Sequence, residues 1–273
     1  MTDAQDLMKH LRVRPGQRPR LHDRDTKDDK HFPDEKAVKA QTKEIAKDIN
    51  HFQDALFAEG RRSLLVVLQG TDTSGKDGTI QAVFDYTSPL GVVTTAFKRP
   101  TEDELAHDFL WRVHNACPKR GYIGVFNRSH YEDVLVTRVN GLVTDEVVHQ
   151  RFEQINAFEK MLTENGTTIV KFMLHISKDE QKERLQARLD EPDKNWKFNA
   201  GDLEDRRHWD AFEDAYEAAL RHCSTDWAPW YVIPADRKWV RNAAVATIVR
   251  ATLAEMDPTY PKVAWDPKSF KIE

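Results

Sequence analysis

Cysteine is nearly absent: the 273 residues include two, Cys117 and Cys223. With no metal-ligand spacing around them, they exclude a disulfide-stapled scaffold and a cysteine zinc site, and they read as reduced, partly buried thiols. Long apolar runs are missing too. No stretch reaches the roughly 20 residues that a membrane span needs. The opening MTDAQDLMKHLRVRPGQRPR lacks the apolar segment of a secretory signal, so the chain reads as soluble and cytoplasmic, with no membrane partner. A charge surplus of either sign is also lacking, since 41 Lys and Arg stand against 45 Asp and Glu, a net charge of −4. That removes any general pull toward nucleic acid, and anion binding must come from a local basic patch.

The length suits one sizeable α/β domain with its own core. Residues 1–32 are polar and are expected to form an extended arm packed on the body or on a partner subunit, with a mobile tail as the alternative. The body covers 33–260, and 261–273 form a C-terminal tail. Apolar residues at helical spacing (Ala37, Ala40, Ile45, Ile49, Phe52, Leu56) predict one long amphipathic helix over 33–61. Strands are expected at 64–68, 91–97, 121–126, 167–175 and 230–234. Helices are expected at 79–87, 102–115, 129–140, 144–164, 178–189, 203–221 and 239–255. Strands separated by helices predict a five-stranded parallel sheet covered on both faces. Ligands bind such sheets at the carboxyl ends of the strands, which puts 70–75, 98–101, 127–133 and 236–238 on one rim.

The stretch LLVVLQGTDTSGKDGTI, residues 64–80, fits G-x-x-x-x-G-K from Gly70 to Lys76. The glycines let backbone N–H groups turn inward around phosphate oxygens, and the following helix adds its positive end. A strand before and a helix after give the motif its required context. Gly70, Thr73, Ser74, Gly75, Asp77 and Gly78 are the candidate phosphate binders, with Lys98, Arg99 and Asn127 from neighbouring strand exits. Lys76 is expected to bridge terminal phosphates. After the lysine stands Asp77, where nucleotide-binding loops carry a metal-ligating Ser or Thr. A carboxylate 4 Å from a phosphate charge is repelled by about 4 kcal/mol at an effective dielectric of 20, unless a cation lies between. Asp72 therefore reads as part of a metal and phosphate site, whereas Asp77 reads as a helix N-terminal acid.

The third strand runs into Asn127, Arg128, Ser129, His130, Tyr131, Glu132 and Asp133. Asp133 is the candidate second metal carboxylate, and Arg128 is placed to neutralise a transferring phosphoryl group. Ser129 is expected to cap a helix, and His130 to be packed rather than catalytic. Residues 182–216 read as a helical lid carrying Arg184, Arg188, Lys197, Arg206 and Arg207 over a polyanion. Trp196 and Trp209 are expected to pack its base.

Together, GTDTSGKDGTI, AFKRPTEDELAHDFLWR, GVFNRSHYEDVLVTRV, NWKFNAGDLEDRRHWD and APWYVIPADRKWVRN resemble the polyphosphate kinase 2 family over about residues 35–260. The resemblance implies a three-layer P-loop kinase fold. It also implies reversible, Mg²⁺-dependent transfer of the terminal phosphate of inorganic polyphosphate to AMP and ADP, with GMP and GDP as further acceptors and Mn²⁺ as a substitute metal. It makes Asp72 and Lys76 the Walker A pair and Asp133 the Walker B acid, with Glu132 beside it. It assigns Arg128, Arg184 and Arg188 to polyphosphate or nucleotide phosphates, and it implies a homodimer or homotetramer. The Tyr131-Glu132-Asp133 run resembles the group that accepts both AMP and ADP. In this reading the loop holds the nucleotide's phosphates while polyphosphate arrives from the lid side. The alternatives are an ATP-dependent nucleoside monophosphate kinase, which Asp77 argues against, and a nucleotide-sensing or nucleic-acid-binding P-loop protein, which the net charge argues against.

Overall fold

The computed structural model describes residues 3–266 and 269–272. Positions 1, 2, 267, 268 and 273, in the expected arm and tail, lie outside the described residues. Five parallel strands form one sheet: β1 (Ser63–Gln69), β2 (Val92–Ala96), β3 (Ile123–Asn127), β4 (Thr167–His175) and β5 (Trp230–Pro234), in the order β2-β3-β1-β4-β5. The helices are α1 (Ala4–Leu11), α2 (Glu35–Glu59), α3 (Lys76–Phe84), α4 (Glu102–Leu105), α5 (Trp111–Ala116) and α6 (Val136–Val139). They continue as α7 (Asp145–Glu164), α8 (Lys178–Asp190), α9 (Gly201–Arg207), α10 (Trp209–Cys223) and α11 (Lys238–Met256).

Every residue of β1 is buried, because its alternate side chains feed two different cores. Leu64, Val66 and Leu68 pack with Ile49 and Leu56 of α2 and the alanine-rich face of α11. Leu65 and Val67 face the other side, with Phe152 and Ile155 of α7 and Leu220 of α10. The result is the expected α/β/α layering. β1 sits centrally, between β3 and β4, so the chain leaves it in one direction for β2 and β3 and in the other for β4 and β5. The loops after β1 and β3 therefore open next to each other, at the kind of strand-order reversal where α/β sheets bind ligands.

The N-terminal segment packs on the body but is not extended throughout. It begins as helix α1, capped by Asp3. Leu7, Leu11, Val13 and Leu21 are buried in the two cores, and Arg12 makes an antiparallel bridge to Tyr231 on the outer side of β5. Its apolar residues were too few for a helical pattern but enough to cover a sheet edge. Three expected helices are interrupted. The 102–115 helix divides into α4 and α5, with Asp108 Oδ1 taking the Leu110 N–H at 3.0 Å and drawing the backbone out of register. The 129–140 helix begins as a 3₁₀ turn, His130–Asp133, because Ser129 caps it while His130 and Tyr131 are pulled fully inside. The 203–221 helix breaks at His208 into α9 and α10. No helix among the described residues is long and apolar enough to cross a membrane.

Candidate functional site

The loop 70–75 leaves β1 with Gly70 at φ 151° and enters α3 through Gly75 at φ 97°. A side chain at Gly70 would strike the Leu174 carbonyl, and one at Gly75 would strike the Arg241 guanidinium. Thr73 is left-handed too, at φ 64°, a strained state for a β-branched residue. Lys76 turns back into its own loop. Its Nζ donates to the carbonyls of Gly70 (2.8 Å) and Thr71 (3.3 Å), and burial, with nearby Arg128, pulls its pKa down to about 8. Ser74 lies wholly buried beneath the loop, and Arg241 Nη1 donates to its carbonyl at 3.2 Å. Burial lowers the Arg241 pKa to about 10.

From β3, Arg128 also adopts a left-handed backbone, φ 62°, which aims its side chain at the loop. Its Nη2 donates to Asp72 Oδ1 at 2.5 Å. Burial opposes the Arg128 charge, but Glu132 and Asp72 outweigh it and hold the guanidinium above its ordinary pKa. Glu132 accepts from Gln69 Nε2 at 2.8 Å, and Asn127 Nδ2 donates to Asp77 Oδ1 at 2.6 Å. Asp133 is raised by burial, against the pull of Arg151, and its Oδ2 is buried with no hydrogen-bond partner. Beneath this turn, Lys171 and Glu159 form a wholly buried ion pair that also engages Tyr131 and His130.

Two cavities meet here. The first, about 630 Å³, is lined by Phe97, Leu135, Val136, Leu142, Trp209, Phe212 and Tyr216, with Gly70, Asp72, Lys98, Arg99, Arg112, Arg128, Glu132, Asp133 and Asp205 as its polar groups around the loop. The second, about 540 Å³, holds Thr73, Gly75, Lys76, Asp77, Gly78 and Asn127 from the loop side and Arg184, Arg188, Lys194 and Lys197 from the lid side. Lys98, Arg128, Lys238 and Arg241 bring its basic side chains to nine, against three aspartates. Asp72, Phe97, Lys98 and Arg128 belong to both cavities and form the wall between them.

The lid arginines do not act alike. Arg184 is fully engaged within the protein: Nε donates to Glu180 Oε1 (2.7 Å), Nη1 to the carbonyls of Thr73 (2.9 Å) and Ser74 (3.2 Å), and Nη2 to those of Ala235 (2.8 Å) and Asp236 (2.9 Å). Arg188 faces the basic cavity and donates to Asp202 Oδ2 at 3.0 Å. Burial, with the charge of Asp72, pushes the Asp202 pKa up to about 6. Arg206 holds the Lys178 carbonyl and Gln181, and Arg207 pairs with Glu204 on the surface; neither lines a cavity described above. Trp209 packs against the main core and also lines the first cavity, whereas Trp196 is 78% exposed because the Pro192–Lys197 turn carries it outward. Sequence reading missed Arg241 and Lys194 as members of the basic cavity, and Arg112, Phe212 and Tyr216 in the other. Arg241 stands near the end of a stretch that resembles the family but carries no local sign of a role, and Tyr216 lies inside a helix outside all such stretches.

Fold and loop together define a P-loop kinase-like α/β protein. A model of the family described as polyphosphate kinase 2 matches residues 33–261, and the chain belongs to that family, a family of transferases. It is 51% identical over 267 residues to an AMP/ADP-polyphosphate phosphotransferase of Meiothermus ruber, covering 97% of this chain and all of that one. It is 40% identical to an ADP-polyphosphate phosphotransferase of Rhodopseudomonas palustris, with 93% and 92% covered. The crystal structure of polyphosphate kinase 2 from Arthrobacter aurescens TC1 superposes with a TM-score of 0.93 at 42% identity, over 96% of this chain and 94% of that one.

Proposed function

We propose that the chain transfers the terminal phosphoryl group of inorganic polyphosphate to AMP and ADP. The observation that carries this reading is the pair of cavities sharing the Asp72–Arg128 wall. The basic cavity suits a polyanion with no base to recognise, and the apolar, aromatic cavity suits a nucleoside. The seating differs from the sequence expectation in one respect. The basic groups of loop and lid, Lys76, Arg184, Arg188, Lys194 and Lys197, all line the basic cavity, so polyphosphate lies on the loop and the nucleotide enters the other cavity.

In this arrangement a terminal phosphate oxygen of the nucleotide attacks the terminal phosphorus of polyphosphate. The bond from that phosphorus to its bridging oxygen breaks, and the shortened chain leaves as an anion. The attacking oxygen is already ionised, so no general base is needed. Lys76 and Arg128 spread the developing charge, and the loop N–H groups fix the chain in line.

Among the described residues no three His, Cys, Asp or Glu side chains form a ready-made metal cage. Mg²⁺ does not require one, since it binds through one or two carboxylates plus substrate phosphates and water. Asp72 and Asp133 line one cavity, and the unpartnered Asp133 Oδ2 fits such a ligand. Bound there, Mg²⁺ would supply charge neutralisation between phosphate groups, and Mn²⁺ would substitute.

A coupled assay with polyphosphate and Mg²⁺, giving AMP and ADP separately, tests the reading. ATP formed from either acceptor supports the donor assignment, and formation from both supports dual acceptor use. Phosphorylation of AMP only when ATP is the donor would return the chain to a nucleoside monophosphate kinase.

A further inference from the structure

The N-terminal segment precedes the region matched by the family model, yet it reaches the phosphate loop through two hydrogen-bonded relays. Thr26 Oγ1 donates to Asp236 Oδ2 at 2.7 Å, and the Asp236 N–H donates back to the Thr26 carbonyl at 3.1 Å. The same carboxylate takes the Ser177 N–H (2.8 Å) and hydroxyl (2.9 Å), at the residue that caps α8. About two turns into α8, Arg184 clamps the Ala235 and Asp236 carbonyls with one nitrogen and the Thr73 and Ser74 carbonyls with the other. Arg237 pairs with Asp29, and His175 Nε2 meets the Leu21 carbonyl at 3.0 Å, so the segment is fastened on both sides of Thr26.

We propose that Thr26 and Asp236 are positioning residues for the phosphate loop: they fix the β5 exit and the start of α8, and Arg184 transmits that position to Thr73 and Ser74. Holding these two carbonyls outward keeps the loop N–H groups facing the basic cavity. Asp236 is buried with every oxygen engaged, whereas Thr26 enters from a segment with its own anchors. A change at Thr26 therefore perturbs the relay at one point. The inference rests on the proposed seating of polyphosphate on the loop.

Through Arg184 the relay ends on Thr73, which lines the basic cavity and not the other, and this gives it a signature that general loosening lacks. Thr26→Val keeps shape and removes the hydroxyl; Thr26→Ser keeps the hydroxyl. Tripolyphosphate binding by calorimetry needs no turnover, so its result stands apart from the transfer assay. Thr26→Val is expected to weaken tripolyphosphate binding about fivefold, the effect of one lost hydrogen bond. The nucleotide KM should stay unchanged, and Thr26→Ser should restore binding. Should Thr26→Val not fold at the assay temperature, Asp29→Asn, which loosens the same segment at an exposed ion pair, is expected to give the same one-sided loss. Wild-type binding in Thr26→Val, equal losses for donor and acceptor, no restoration by serine, or no tripolyphosphate binding by the wild type would each overturn the proposal.

Discussion

Arg128 reaches across from the end of β3 to hydrogen-bond Asp72 in the loop after β1, 2.5 Å from nitrogen to oxygen and 56 residues apart in sequence. The contact closes the wall between the two cavities. It also occupies, in the free protein, both a candidate metal carboxylate and a candidate phosphate-binding cation. On the proposed function, each group would keep the other oriented until a polyanion and a cation take their places.

Removing either carboxylate should show in turnover rather than in folding. Asp72→Asn and Asp133→Asn are each expected to lower kcat by about 10²–10³-fold, the scale of losing one electrostatic stabiliser. Far-ultraviolet circular dichroism should be unchanged. Near-normal turnover in either variant removes that residue from the metal site.

Donor binding should depend on pH through Lys76. Its pKa in the free protein is about 8, lowered first by burial. Bound phosphate raises it, so above pH 8 binding takes up a proton and affinity falls as pH rises. Below pH 8 the lysine is already charged, and affinity should be flat on this account. Calorimetry with tripolyphosphate from pH 7 to 9.5, in two buffers of different ionisation enthalpy, measures the uptake directly.

If Arg188 binds the donor, Asp202, which holds its guanidinium in the free protein, competes for it. Asp202→Asn should remove the counter-charge from Arg188, leaving its contact with the Lys197 carbonyl, and tighten tripolyphosphate binding several-fold at pH 7, by about 1 kcal/mol for one charge-assisted contact. The gain should shrink toward pH 5, because the native carboxyl, with a pKa of about 6, is then largely neutral. Weaker binding in the variant would show that Asp202 orients Arg188 instead.

The buried Lys171–Glu159 pair should matter most when broken singly. Burial pushes both groups toward neutrality, and their mutual attraction opposes it. Glu159→Gln leaves an ammonium buried without a counter-charge and is expected to cost about 3–5 kcal/mol in urea melts. Adding Lys171→Met should recover most of that loss. A double variant as unstable as the single one would show that the hydrogen bonds, not the charges, carry the stability.

The strands, the phosphate loop and the rim were legible in the sequence, because β1 is a continuous apolar run ending in a glycine motif and the other strand exits are polar. Arg184 shows where legibility stopped. Its charge and its place on α8 suggested a ligand contact, but four carbonyls from positions 73, 74, 235 and 236 occupy it, and only the folded chain brings those positions together. The break near residue 130 was hidden for a similar reason. Nothing local shows that Lys171 and Glu159 draw His130 and Tyr131 inward and tighten that turn. The apolar cavity was missed because Phe97, Val136 and Tyr216 come from three separate elements.

Lys76 is largely buried before any ligand arrives. A lysine in solvent must shed its hydration shell at each encounter with phosphate, but this one has exchanged water for the oxygens of Gly70 and Thr71 during folding. When a phosphate binds, the ammonium exchanges carbonyl oxygens for phosphate oxygens, and the lysine's own dehydration counts little against affinity. The penalty has moved into the stability of the empty fold, where the lowered pKa records it.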